Sequence, residues 1–147
     1  SILWSKISPA RQWNVQQNMS DFQVIKFNDT PFSPGHFNQL HQDCLGFIQK
    51  ELRKPHSGKT VVATHHVPTF LNYPEKYKAD ALNEAFAVEL FDLIEAEEPD
   101  YWIYGHHHHN TSQFSIGKTQ LITNQLGYVK YGEHQNFSPN ALIKING

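Results

Sequence analysis

Two short runs of histidine are the residues in this sequence most suited to chemistry. His65 and His66 form the first run, and residues 106–109 form the second. Neutral imidazole binds zinc, manganese, iron and similar ions. Three converging histidines could form a catalytic zinc site with an open position, or half of a two-metal site whose acidic ligands come from elsewhere. A solvated polar turn is the alternative for the second run, whereas an expression tag would lie at a terminus.

Each histidine run follows a short apolar segment that is typical of a buried strand. Residues 60–64 are rich in β-branched side chains, and residues 101–104 are apolar and aromatic. Residues 80–97 carry an apolar stripe at helical spacing, which predicts a helix between the two strands. A strand–helix–strand order predicts a right-handed crossover between parallel strands. Since parallel strands end at the same edge of a sheet, we expect His65 to meet the 106–109 run.

The rest of the chain is predicted to add helices and strands around this βαβ unit. Apolar residues recur on one helical face over residues 37–52. Gly117 marks a tight turn between strands at residues 113–116 and 119–123. Other expected segments are strands at 2–4, 22–27 and 141–145, a loop or irregular helix at 8–20, and loops at 67–79 and 130–140. The sequence therefore predicts an α/β fold in which the βαβ unit precedes C-terminal hairpin strands.

The composition restricts the class of protein. A length of 147 residues, with 39% hydrophobic and 18% charged residues, suits one globular domain. The net charge of −2 does not favour nucleic acid or a membrane surface as a partner. Cys44 is the only cysteine, so no intrachain disulfide can form. No segment approaches the roughly 20 apolar residues of a membrane span, and the first residues do not resemble a signal peptide. We therefore expect a cytoplasmic protein.

The histidine runs lie in segments that resemble a known family. Residues 64–68 (Thr-His-His-Val-Pro), after a Val-Val strand, resemble the fourth motif of the calcineurin-like metallophosphoesterases. Residues 105–108 (Gly-His-His-His) resemble their closing Gly-His-x-His motif. Residues 124–128 (Asn-Gln-Leu-Gly-Tyr), followed by 137–139 (Phe-Ser-Pro), are similar to the tail of many bacterial members. The resemblance covers roughly residues 55–147, with the motifs in the family's order and spacing.

This resemblance implies a fold, a reaction and a set of ligands. The fold would be part of a four-layer α/β/β/α sandwich with two divalent metal ions (manganese, iron or zinc) at the carboxyl ends of its central strands. His65 and His106 would ligate one metal and His108 the other. His66 and His107 would be catalytic residues that contact the ligating groups or the substrate. The reaction would be hydrolysis of phosphomonoesters or phosphodiesters by water that attacks phosphorus in line.

The first three motifs of the family do not occur in this sequence. These motifs are Asp-x-His, Gly-Asp-x-x-Asp and Gly-Asn-His followed by Asp or Glu, and they would supply the remaining metal ligands and a proton donor. Residues 1–147 are therefore expected to be a single domain that forms the C-terminal part of a larger phosphoesterase domain, nearly inactive alone. We expect the missing N-terminal half, or self-association, to cover strand edges and an apolar face that would otherwise be exposed.

Two other functions are compatible with the same histidines. The first is a non-catalytic, histidine-rich module that binds zinc or nickel for storage, sensing or assembly. The second is a mononuclear zinc hydrolase that uses three histidines and a water molecule. Such a hydrolase needs a nearby general base, for which Glu133 and His66 are the candidates.

Overall fold

The computed structural model describes residues 3–145, which form a mixed α/β fold. The helices are α1 (Pro9–Asn18), α2 (Asp21–Val24), α3 (Pro34–Leu52) and α4 (Phe91–Glu97). The strands are β1 (Lys26–Phe27), β2 (Thr30–Pro31), β3 (Val61–Ala63), β4 (Tyr101–Ile103), β5 (Phe114–Ile116) and β6 (Thr119–Ile122). Single 3-10 turns lie at Glu75–Tyr77, Asn83–Ala85, Val129–Tyr131 and Glu133–Asn136. Among these residues, no helix is both long enough and apolar enough to span a bilayer.

The four-stranded sheet has the strand order β3-β4-β6-β5. Strands β3 and β6 both run parallel to β4, with Val62 opposite Trp102 and Trp102 opposite Leu121. Strand β5 is antiparallel to β6 and joins it through a turn in which Gly117 has a φ of +53°. The parallel pairing of β3 with β4 and the β5–β6 hairpin were both predicted correctly from the sequence.

The two faces of this sheet differ in burial. Val62, Trp102 and Leu121 point to one face and are at most 8% exposed, in a core that also contains Ile48 of α3 and Ile94 of α4. Side chains alternate along each strand, so their neighbours point to the opposite face. On that face Val61 is 41% exposed, and a depression of about 800 Å³ separates the strands from residues 141–144. Helices therefore cover only one face of the sheet.

A second, aromatic cluster fixes the N-terminal segment beside the sheet. Phe22 stacks on Phe32 with ring centroids 5.4 Å apart, and Trp4 packs edge-on against Phe37 of α3 at 5.0 Å. Ser33 caps α3 by accepting a hydrogen bond from the backbone N–H of His36. This cluster places residues 3–7 next to the carboxyl end of β3.

The helix expected over residues 80–97 is confirmed only for its last part, since α4 begins at Phe91. The Asp80 carboxylate accepts a hydrogen bond from the backbone N–H of Leu82, within a turn. The N–H groups of Val88 and Leu90 then bond to the carbonyls of residues 67 and 68. These bonds to a distant segment draw residues 87–90 out of a helix. The apolar stripe is instead divided between the core under the sheet and the aromatic cluster, with a 3-10 turn at Asn83–Ala85.

Several other expected segments differ from the structure. Residues 141–145 form no strand, and Leu142 and Ile145 are 89% and 51% exposed. The strand expected at 22–27 is helical in α2, where Phe22 enters the aromatic cluster, and only its last two residues pair as β1. Residue 2 of the predicted first strand lies outside the described residues, and Leu3 and Trp4 are not in a strand.

The loops were predicted with mixed success. Residues 9–18 of the segment expected at 8–20 form a regular helix, α1. Residues 67–79 and 130–140 are loops with short 3-10 turns, as expected. The predicted helix over residues 37–52 is confirmed within α3, although Phe47 on its apolar face is 55% exposed.

Candidate histidine site at the carboxyl edge of the sheet

The chain leaves β3 and β4 at the same edge of the sheet, and each strand is followed by histidine. Backbone pairing continues past the strands, because the N–H of Thr64 bonds to the carbonyl of Ile103 and the N–H of Gly105 bonds to the carbonyl of His65. The His65 Nε2 and His106 Nδ1 atoms lie 3.0 Å apart, with perpendicular rings. The structure thus brings His65 to the second run, as the crossover predicted.

His106 lies at the wall of a cleft. The ring of Phe86 stacks on it with centroids 4.4 Å apart. Burial, followed by the neighbouring His65 and His108, lowers the pKa of His106 to about 4. The cleft measures about 520 Å³ and is lined by His65, His66 and His106 together with Trp4, Met19, Asp21, Phe37, Ala85 and Phe86. The sequence did not identify Asp21 as part of a site, because it belongs to no recognisable motif.

His66 is buried and bonded to the N-terminal segment. Its Nδ1 accepts a hydrogen bond from the backbone N–H of Ser5 at 2.9 Å, and the Ser5 hydroxyl lies 3.0 Å from the same atom. The neutral ring therefore carries its proton on Nε2. Burial, with smaller effects of His106 and His65, lowers the pKa of His66 to about 3. These contacts link the start of the described chain to the end of β3.

His107 points into the protein and not toward the His65–His106 pair. Its Nδ1 lies 3.3 Å from the backbone N–H donor of His109 and 3.2 Å from Nε2 of Gln125. Burial is the largest cause that lowers the pKa of His107 to about 4, and His109 is the next. Its buried Nε2 has no hydrogen-bond partner within residues 3–145. The ring of Tyr73 stands perpendicular to the imidazole at 5.8 Å.

Two residues that the sequence did not single out shape the second histidine run. His106 and His108 have φ values of +79° and +50°, in the left-handed region that only glycine adopts easily. Gln125 stabilises this backbone because its Oε1 accepts from the N–H of His108 at 2.8 Å. Asn110 in turn exchanges two hydrogen bonds with the backbone of Gln125, at 2.6 and 2.9 Å. Gln125 is 8% exposed, and the signal available in the sequence was its place in the segment 124–128, just after a predicted strand.

His108 is paired with a carboxylate. Its Nδ1 lies 3.0 Å from Oε2 of Glu133, and the ring of Tyr128 packs edge-on against it at 4.6 Å. The backbone N–H of Tyr128 also donates to Glu133, which is the largest cause that lowers the pKa of that carboxyl group. A cavity of about 190 Å³ is lined by Tyr73, Tyr77, Asp80, Asn83, Phe86, His106, His107 and His108.

The ring nitrogens of His65 and His106 could supply part of the coordination of one cation. Ligating nitrogens of a tetrahedral zinc ion lie about 3.3 Å apart, so the 3.0 Å separation of His65 from His106 suits two ligands of one ion. His108 turns its Nδ1 to Glu133. Within the part of the chain that the structure describes, no group of three or more His, Cys, Asp or Glu side chains is arranged to hold a metal ion. These residues therefore do not fit two cations without further donors.

Fold and site together define an α/β protein with paired histidines at the edge of a mixed sheet. Comparisons with protein-family models, curated proteins and solved structures gave no match to the chain. A function is therefore inferred from the residues and their geometry.

Proposed function

We propose that this chain is the histidine-bearing, C-terminal part of a metal-dependent phosphoesterase that hydrolyses phosphomonoesters or phosphodiesters. The observation that carries the proposal is the approach of His65 to His106 at the ends of two adjacent parallel strands. Both residues belong to the segments that resemble the metallophosphoesterase motifs. Bound divalent ions (manganese, iron or zinc) would lower the pKa of water and stabilise charge on the phosphoryl group.

The charge state of the site supports this proposal. Imidazole must be neutral to ligate a metal. Burial lowers the pKa of His106 to about 4, so its ring is neutral at physiological pH. His65 is exposed and lies within hydrogen-bond distance of it. The pair thus offers nitrogen lone pairs at a solvent-accessible edge.

The half-covered sheet supports the fold that the proposal requires. Val61, Tyr101 and Ile103 lie on the face that no helix covers, and Val61 is 41% exposed. An α/β/β/α sandwich would place a second sheet there, and sheets generally bury their apolar faces against another layer. The same N-terminal half would supply the carboxylate ligands. Residues 1–147 would then be part of a larger phosphoesterase domain, and either that half or a second copy would cover the open face.

Restoring the upstream coding sequence provides the test. The 147-residue chain alone should be nearly inactive on a generic phosphodiester, and the lengthened protein should hydrolyse it when manganese, iron or zinc is added. Robust turnover by the short chain would contradict the dependence on a missing half. No turnover by the folded long chain with any of these metals would overturn the proposed reaction.

A non-catalytic metal-binding module is the second candidate. It is favoured by the 3.0 Å separation of the His65 Nε2 and His106 Nδ1 atoms, which suits two ligands of a single ion. This module should bind about one zinc or nickel ion per chain and remain inactive after the upstream sequence is restored. A mononuclear zinc hydrolase has less support, because both general-base candidates are engaged: Glu133 with His108 and Tyr128, and His66 with Ser5.

A further inference from the structure

The pair formed by Glu133 and His108 has a specific geometry. One carboxylate oxygen of Glu133 lies 3.0 Å from the His108 Nδ1 and also accepts from the backbone N–H of Tyr128 at 2.6 Å. Both side chains are partly shielded from solvent, with exposed fractions of 32% for His108 and 24% for Glu133. The backbone N–H of Tyr128 therefore fixes the oxygen that faces the imidazole.

Gly127 permits this approach. Its φ is +64°, and a Cβ at this position would lie 2.6 Å from the Glu133 Cβ and 3.1 Å from the His108 Cβ. Real Cβ atoms do not approach other atoms as closely as 2.6 Å. Any other residue here would therefore force Glu133 or the backbone of this turn to shift. The left-handed Gly132, with a φ of +73°, precedes Glu133 and begins the short turn that carries it.

Two further contacts restrict the orientation of His108. The ring of Tyr128 lies perpendicular to the imidazole at 4.6 Å, and Oε1 of Gln125 accepts from the backbone N–H of His108. Backbone, ring plane and Nδ1 are thus each held by a different neighbour. An exposed ion pair contributes little to stability and does not require its histidine to be held at three points. The three contacts therefore indicate that the orientation of His108 matters.

We propose that Glu133 is a positioning residue for His108, which holds the neutral imidazole in the Nδ1–H tautomer and leaves the lone pair on Nε2. An ionised carboxylate can only accept, so the neutral ring must place its proton on Nδ1. A carboxylate that orients a histidine in this way is the usual partner of a metal-ligating imidazole. The use of Nε2 as a ligand rests on the function proposed above, whereas the tautomer does not.

His66 and His107 provide an internal contrast. Each accepts a backbone N–H at Nδ1, from Ser5 and His109 respectively, which places the proton on Nε2. His108 should therefore show the opposite tautomer to His66 and His107 in the same protein. This difference makes the assignment measurable without metal or substrate.

Long-range ¹H–¹⁵N correlation spectra of the ¹⁵N-histidine-labelled, 147-residue chain test the proposal. The spectra are recorded with a chelator at about pH 8, where most imidazoles are neutral. His108 should show a protonated Nδ1 and an unprotonated Nε2, and His107 the reverse. Glu133→Ala should shift His108 toward the Nε2–H form, while Glu133→Gln, whose amide oxygen can still accept, should retain the Nδ1–H form. Glu51→Ala, which removes an exposed carboxylate paired with Lys54, should change neither ring.

Gly127→Ala is a second variant. It keeps Glu133 in the sequence, but the added Cβ should displace the carboxylate from His108 and shift the tautomer as Glu133→Ala does. An Nε2–H tautomer of His108 in the unaltered chain would overturn the proposal, whether or not any variant folds. An Nδ1–H form that persists in folded Glu133→Ala would also overturn it. If the tautomers are as expected but the lengthened protein hydrolyses no phosphodiester, the proposed reaction fails and the positioning role of Glu133 stands.

Discussion

The histidines at the sheet edge are of two kinds, which differ in burial and in their partners. His66 and His107 are 9% and 7% exposed, and their Nδ1 atoms accept hydrogen bonds from the protein backbone. His65, His106 and His108 reach solvent, and the ring nitrogens of these residues have each other or Glu133 as hydrogen-bond partners. Each of the two strands is followed by at least one histidine of each kind.

We expect this difference to separate structural from chemical roles within one residue type. The buried rings accept hydrogen bonds from backbone N–H groups that have no strand partner. They therefore fix the path of the chain after β3 and β4. Their lowered pKa values, about 3 and about 4, result mainly from burial. The accessible rings keep nitrogen atoms available to a ligand. Substitutions at the two kinds of position should therefore affect different measurements.

Activity should respond most strongly to the accessible kind. In the lengthened protein, His106→Ala or His108→Ala should lower phosphodiester hydrolysis by at least about 100-fold, because a proposed metal ligand is lost. His109→Ala is the matched control and should have a mild effect, since the group of His109 that bonds to His107 is its backbone N–H. Circular dichroism should show that all three variants are folded. The reverse ranking would overturn the assignment of the accessible histidines.

Stability should respond more strongly to the buried kind. His66→Ala leaves the N–H of Ser5, a fully buried residue, without its acceptor and creates a cavity beside Trp4. We expect a loss of about 2–4 kcal/mol in the free energy of unfolding. His65→Ala, at an exposed position, should cost less than about 1 kcal/mol. Urea denaturation of the two variants measures this difference, and equal losses would contradict the division.

The buried amide that supports the second run should have an intermediate effect. Gln125→Ala removes the acceptor for the N–H of His108, and we expect a loss of about 1–3 kcal/mol in the free energy of unfolding. Hydrogen exchange at the His108 amide should become faster. Gln113→Ala removes an exposed side-chain hydrogen bond and should change stability by less than about 0.5 kcal/mol. An unchanged exchange rate at His108 in Gln125→Ala would show that other contacts hold the loop.

The sequence predicted the parts of the fold that depend on local periodicity. Strands β3 and β4, the hairpin at Gly117 and helix α3 follow from apolar spacing and turn residues. The helix expected to begin at residue 80 depended on the same kind of pattern, but the N–H groups of Val88 and Leu90 bond to residues 67 and 68. A partner outside the segment thus changed its conformation, while its apolar residues still pack against the two hydrophobic clusters. Local spacing carries no information about such a partner.

The site was predicted to a similar extent. Chain topology alone placed His65 beside the second run, and the structure has the two rings in contact. The sequence named Glu133 as a candidate general base and placed Gln125 in a segment that resembles the family's tail. Their hydrogen bonds to His108 could not be predicted, because loops with left-handed residues such as His108 and Gly127 bring them together. The sequence could therefore predict which strands carry the site, but not how each ring is oriented.

The pH dependence of stability tests the burial difference in solution. His66 has a pKa of about 3 in the folded chain against 6.5 for an ordinary histidine, so between these values the unfolded chain binds a proton that the folded chain does not. Its contribution to stability is therefore complete above about pH 6.5 and is lost as the pH falls toward the folded pKa, with a slope of up to about 1.4 kcal/mol per pH unit. In His66→Gln the amide oxygen can still accept from Ser5 but does not titrate. Urea unfolding from about pH 7 to about pH 5 should give a shallower loss of stability for this variant than for the unaltered chain, because only the unaltered chain gains this proton on unfolding. Parallel curves would mean that His66 takes up its proton equally in both states, and the distinction between buried and accessible histidines would fail there.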